Sequence, residues 1–130
     1  MIAAIYARKS TDQSDRDEAD KSVARQVDHA RAFALERGWT VDERHLYIDD
    51  GVSGADFETR PGLIRLLNSV KGGRPPFDVL IMANQSRLGR DTIRTGYALL
   101  QIVEAGVHVW FYLEGQQAKL DGPLDQMMQS

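Results

Sequence analysis

The chain has 130 residues, 42% of them hydrophobic and 27% charged, which suits one soluble globular domain with a single core and leaves no room for a second. It contains no cysteine, so disulfides and thiolate zinc sites are excluded and a reducing compartment is permitted. A formal charge of −3 argues against a wholly electropositive DNA-binding surface, so any polyanion site has to be local. Apolar runs such as Val107 to Leu113 fall far short of the roughly 20 residues of a membrane helix. The N-terminus carries no signal-peptide pattern, so the cytoplasm is the expected location and a membrane is not an expected partner.

In chain order, Ile2 to Ala7 is an apolar run suited to a strand buried on both faces. Asp15 to Arg37 then shows helical spacing, with Ala19, Val23, Val27, Ala30, Phe33 and Ala34 three or four apart, acids near its start and Gly38 as a stop. His45 to Asp49 reads as a second strand that leaves into the turn-forming Asp50-Gly51-Val52-Ser53-Gly54. Pro61 opens a short helix carrying Leu63, Ile64, Leu66 and Leu67. Gly72 to Pro76 is a connector, and Asp78 to Ala83 forms a third apolar strand. A helix from Thr92 to Ala105, capped by Asp91 and stopped by Gly106, leads to a fourth strand over Val107 to Leu113. Gly115 to Ser130 is polar, with a weak helical start after Pro123. Trp39, Trp110, Phe111 and Tyr112 read as core or sheet residues.

This alternation implies an α/β fold, with a mostly parallel central sheet of four or more strands and helices on both faces, doubly wound. Such sheets bind ligands beyond the carboxyl ends of their strands. The strand exits here carry Arg8 and Ser10, then the Asp49 to Ser53 loop, then Arg87 and Arg90. Guanidinium groups recognise phosphate in a bidentate manner, and several around one hydroxyl stabilise the charge that develops in phosphoryl transfer. A phosphate ester is therefore the implied substrate. None of His29, His45 and His108 lies beside these loops in the sequence, which disfavours a serine-histidine hydrolase. The chain has no GxSxG elbow, no P-loop and no GxGxxG. Asp49 and Asp50 admit two readings, metal ligands at a strand end or a turn before Gly51, of which the turn is the commoner.

Four separated segments form an ordered set: Arg8 and Ser10 in YARKST, Gln26 in SVARQ, Ser53 and Arg60 in DDGVSGADFETRPGL, and Arg87 and Arg90 in FDVLIMANQSRLGRD. Together they resemble the catalytic domain of serine recombinases, the resolvase and invertase family, and are most similar to its large integrases and transposases. The resemblance runs from the first strand to about Asp125 and implies a resolvase-like fold. It implies that Ser10 attacks a DNA phosphodiester, forming a 5′-phosphoserine link and freeing a 3′ hydroxyl that attacks back after strand exchange, without metal or cofactor. Arg8, Arg87 and Arg90 match the arginines at the scissile phosphate, Arg60 a further active-site arginine and Gln26 a supporting polar residue. Ser53 falls near the site. Ser86 stands where many members have Asp, so the group that protonates the leaving oxygen is unassigned.

The implied partners are double-stranded DNA, held by its phosphate backbone, and further copies of the protein as a homodimer and synaptic tetramer. Residues 1–130 are expected to form the catalytic domain, with a dimer helix beginning near Gly122 to Asp125 and DNA-binding domains elsewhere in a longer protein. Two local alternatives stay open: Gln26 as a solvent-facing helix residue, and Arg60 as an exposed loop partner of Asp56 or Glu58. At the level of function the alternatives are a metal-dependent phosphoesterase using Asp49 and Asp50, and an inactive accessory or dimerisation domain.

Overall fold

A computed structural model describes residues 1–9, 22–50, 60–88 and 92–118. They form the strands β1 (Ile2–Lys9), β2 (Thr40–Asp50), β3 (Val79–Met82), β4 (His108–Phe111) and β5 (Gln116–Gln117), with helices α1 (Val23–Glu36), α2 (Pro61–Lys71) and α3 (Thr92–Glu104). The sheet order is β2-β1-β3-β4-β5, parallel except for β5. The expected α/β class, mostly parallel sheet and helices on both faces are all present.

Alternation along β1 explains the layers. Ala3, Ile5 and Ala7 face α1 and pack with Val27, Ala30, Phe33 and Ala34. Ala4 and Tyr6 face the other way, into a core with Leu63, Leu66 and Val70 of α2 and Leu99 and Ile102 of α3. A single crossover hand sends helices of leftward and rightward connections to opposite faces. Accordingly α1, which leads left from β1 to β2, covers one face, while α2 and α3, which lead right, cover the other. The direction of travel reverses beside β1, so a crevice opens beyond the ends of β1 and β3.

Several element boundaries differ from expectation. Of the expected Asp15 to Arg37 helix, the described part runs from Val23, where Ser22 is extended (φ −96°, ψ 129°) and its Oγ accepts from the Arg25 amide at 3.3 Å. The acids of residues 15–20 lie outside the described residues. β2 starts five residues earlier than its apolar part, at Thr40, since the register jumps from Ala3↔Val41 to Ile5↔Leu46. Within that excursion Arg44 folds onto Asp42, Nη2 to Oδ2 at 2.7 Å, and such a charged stretch carries no strand signal. β3 and β4 are each shorter than their apolar runs. The polar segment from Gly115 also folds back. With Gly115 at φ 63°, Gln116–Gln117 pair antiparallel to β4, and the Ala118 amide reaches the Val109 carbonyl at 2.7 Å. The expected helical start after Pro123 and the Asp91 cap lie outside the described residues.

Phe33, Trp39 and Trp110 form an aromatic cluster beside α1, with the Arg37 guanidinium 3.6 Å from the Phe33 ring centroid. Among the described residues no helix is long and apolar enough to cross a membrane.

The start of α2 lies close against β2. A Cβ on Gly62 would stand 2.7 Å from the Ile48 carbonyl oxygen, which is backbone and cannot swing away. Gly62→Ala should therefore cost about 1–3 kcal/mol of stability, as overpacking does. The measurement is a lowered urea midpoint at unchanged m-value.

Candidate active site

The crevice at the ends of β1 and β3 is built from both strands. Arg8 is the next-to-last residue of β1 and shares the parity of Tyr6, so its side chain leaves on the α2 and α3 side of the sheet. β3 exits through Ala83 and Asn84 into a 3₁₀ turn over Gln85–Arg87. A 3₁₀ turn satisfies few of its own carbonyls, so those of residues 86–88 are available as acceptors.

The arginines take them. Arg8 is 2% exposed and donates from Nε to the Arg87 carbonyl and from Nη2 to the Ser86 carbonyl, each at 3.0 Å. Arg87 returns the contact, its Nη1 donating to the Arg8 carbonyl at 2.8 Å. The two guanidiniums that sequence reasoning assigned to one site are thus brought together, each fixed by the other's backbone.

Gln26 is 1% exposed, which rejects the solvent-facing reading. Its amide is spent on the main chain: Oε1 accepts from the Arg8 amide at 3.2 Å and Nε2 donates to the Arg8 carbonyl at 3.0 Å. It acts as a surrogate strand partner for the last stretch of β1.

Arg60 is fully buried, so it is not exposed as the alternative reading had it; the partners that reading named, Asp56 and Glu58, lie outside the described residues. It donates to the carbonyls of Arg87 and Leu88 and to the Tyr6 hydroxyl, the last at 2.6 Å. Tyr6 in turn donates to Asp49 Oδ2 at 2.8 Å. Asp49 also accepts the Gly62 amide at 2.7 Å and the Leu63 amide at 2.9 Å, capping α2 from the neighbouring strand. Asp49 and Asp50 are accordingly the last residues of β2 rather than a turn. With three donors converging on its two oxygens, Asp49 is engaged in a way that opposes cation binding.

Ser86 is exposed; its hydroxyl donates to Asn84 Oδ1 at 2.6 Å, and Arg87 Nη2 reaches its Oγ at 3.3 Å. Asn84, Tyr6 and the capping role of Asp49 were missed from sequence; the Asn-x-Ser spacing before the turn was the one local signal for Asn84. Ser10, Ser53 and Arg90 lie outside the described residues. The histidines are engaged elsewhere, His29 stacked on Tyr112, His45 edge-on to Phe77 and His108 bonded to Gln117.

Among the described residues the buried charged side chains are Arg8, Arg60, Arg87 and one carboxylate, Asp49. The described part of the crevice is therefore cationic in a chain of net charge −3. Carbonyl dipoles offset the repulsion among the guanidiniums and aim them before any substrate arrives.

A family model described as the resolvase N-terminal domain matches residues 3–130. Among solved structures, the N-terminal catalytic domain of TP901-1 integrase is 25% identical, with a TM-score of 0.74 over 98% of this chain and 88% of that one. A resolvase family site-specific recombinase from Streptococcus pneumoniae is 21% identical, with a TM-score of 0.72 over 98% of this chain and 82% of that one. The second likeness is one of fold alone. Comparison with curated proteins gave no match.

Burial pushes the Tyr6 phenol well above the ordinary tyrosine range; Arg60 pulls it down and Asp49 adds to the rise. The folded chain therefore keeps Tyr6 neutral where the unfolded chain ionises it. This contribution to stability is complete below the unfolded pKa of about 10 and is lost as pH rises beyond it. Alkaline absorbance titration should leave Tyr6 silent until the chain unfolds, and Tyr6→Phe should flatten the fall of stability above that pH.

Proposed function

Since the chain belongs to the resolvase N-terminal domain family and is a serine recombinase unit of site-specific DNA recombination, we propose that Ser10 is the nucleophile that cleaves the DNA strand. The observation that carries this reading is the reciprocal fixing of Arg8 and Arg87 across the crevice between β1 and β3. Ser10 follows Arg8 by two residues, and Arg90 follows Arg87 by three.

In the proposed reaction the Ser10 oxygen attacks the scissile phosphorus. The bond to the 3′ oxygen breaks, and a 5′-phosphoserine ester remains. The serine proton is lost and the 3′ oxygen gains one, so protons balance. Arg8, Arg87 and Arg90 stabilise the charge on the non-bridging oxygens. The ester keeps the energy of the broken bond, and after exchange a 3′ hydroxyl attacks it to rejoin the strands without metal or nucleotide. Exchange between two duplexes requires a protein copy at each of four cut strands, so the reading includes a homodimer on each site and a synaptic tetramer. Residues 1–130 supply the chemistry as one catalytic domain. Gln26 supports it by holding the Arg8 backbone rather than by touching phosphate.

In the full-length recombinase with its cognate site, DNA trapped during cleavage should be attached to Ser10, as peptide mass mapping will read, and chelator should not slow the reaction. Ser10→Ala should bind the site and never cut it. Arg8→Ala, Arg87→Ala or Arg90→Ala should slow cleavage by about 3 to 4 kcal/mol of lost transition-state stabilisation. An adduct at Ser53, Ser86 or Thr11 would overturn the assignment.

Ser86 tests the proton path. Because its hydroxyl proton is directed at Asn84, Ser86→Ala should lower single-turnover cleavage less than about tenfold. A loss of about a hundredfold or more would instead make it the proton relay to the leaving oxygen.

A further inference from the structure

Strands β1 to β4 are parallel, so each helix between them runs back against the strands, and all three open at the end of the sheet where the crevice lies. The opening turn of a helix favours acidic residues, which answer the partial positive charge of its unpaired amides, and disfavours basic ones. None of the three helices has an acid in its first turn. Arginines stand there instead on two of them: Arg25 is the third residue of α1 and Arg94 the third of α3, and both are exposed. The other ends are mixed, since Lys71 closes α2, Arg37 follows α1 and Glu104 closes α3. The bias is uniform only at the crevice end, where it opposes local helix stability. A local rule broken without gain to the fold marks a place where function is expected.

Both arginines are close in sequence to the site. Arg25 directly precedes Gln26, which holds the amide and the carbonyl of Arg8. Thr92, the start of α3, follows Leu88 of the Arg87 turn by four residues, a span of at most about 14 Å. α1 covers one face of the sheet and α3 the other, so Arg25 and Arg94 flank the crevice from opposite sides. Of the other cations at this end, Arg65 lies over the Tyr47 ring with its Nη2 on the Leu46 carbonyl, directed to the outer strand β2, and Lys9 stands opposite Asp50 in the strand register. The exposed acids at this end, among the described residues, are Asp28 three positions after Arg25, Asp50 on β2 and Glu114 beyond β4.

Resting on the reading that the crevice takes the scissile phosphate, we propose that Arg25 and Arg94 form a docking surface for duplex DNA, contacting backbone phosphates on either side of the cleavage point. A duplex carries one phosphate charge per ~1.7 Å of its axis, so a phosphate seated in the crevice brings others to both flanks. An exposed guanidinium meets such a phosphate with two parallel hydrogen bonds. Contacts of this kind fix the duplex in register and orientation without reading its sequence.

The test is equilibrium binding by the full-length recombinase as a function of salt, on its cognate duplex and on a scrambled duplex of the same length. Arg25→Gln and Arg94→Gln should each lower the slope of log affinity against log salt by about one, and weaken binding about fivefold at 0.1 M salt, equally on both duplexes. Arg74→Gln, which alters an exposed arginine before β3 at the opposite end of the sheet, should leave slope and affinity unchanged. Urea midpoints of the Arg25 and Arg94 variants, measured in parallel, should not fall, because a base in the opening turn does not support its helix.

An unchanged slope for either variant would overturn the paired surface. So would a loss confined to the cognate duplex, which would mean base readout, or an equal loss from Arg74→Gln, which would mean diffuse charge alone. Ser10→Ala separates this proposal from the one it rests on: if that variant still cleaves, the nucleophile assignment has failed; if it is inert while Arg25→Gln and Arg94→Gln bind as wild type, only the docking surface has.

Discussion

The carbonyl oxygen of Arg87 accepts hydrogen bonds from Arg8 and from Arg60, and the rest of the site depends on that shared acceptor. A carbonyl has two lone pairs, and within a 3₁₀ turn it is not obliged to spend them on the helix ladder. Two cations can therefore meet on one neutral oxygen with less repulsion than a direct approach would bring. The meeting also joins three remote parts of the chain: the end of β1, the start of α2 and the turn after β3. Moving that oxygen would shift two guanidiniums at once.

The arrangement reconciles the chain's acidic composition with a polyanionic substrate. Positive charge is concentrated by burial rather than by number, with Arg8, Arg60 and Arg87 withdrawn from solvent while most acids among the described residues face it. Charge held in a low-dielectric crevice acts more strongly on a phosphate than the same charge spread over the surface, where salt screens it.

What could be read in advance was what depends on local pattern. The apolar run Ile2 to Ala7 and its exit into Arg8 located β1 and its functional end, and the apolar Asp78 to Ala83 run followed by Arg87 did the same for β3. Parallel order and the crevice then followed from the alternation of elements. What could not be read was how polar atoms would be spent. A glutamine on a helix looks the same whether it faces water or stands in for a missing strand, as Gln26 does. Charged residues are seldom fully buried, so nothing in RP at Arg60 and Pro61 signals an arginine with no exposure at all. Tyr6 read as one more apolar strand residue because its hydroxyl finds Asp49 and Arg60 only in three dimensions. Gln116 and Gln117 carry no strand signal; they pair because Gly115 turns the chain back along the free edge of β4.

The central place of β1 has a consequence for how the chain is made. Its neighbours in the sheet are β2 and β3, and its first amide bonds the Asp78 carboxylate, a contact spanning 76 positions. A ribosome releases Ala3 to Ala7, every residue of which is buried in the finished sheet, long before Val79 to Met82 exist to flank them. Such late pairing slows folding and leaves an apolar strand with open edges on the nascent chain. Lys9, the exposed cation that closes β1, is well placed to act as a gatekeeper against intermolecular pairing during that interval.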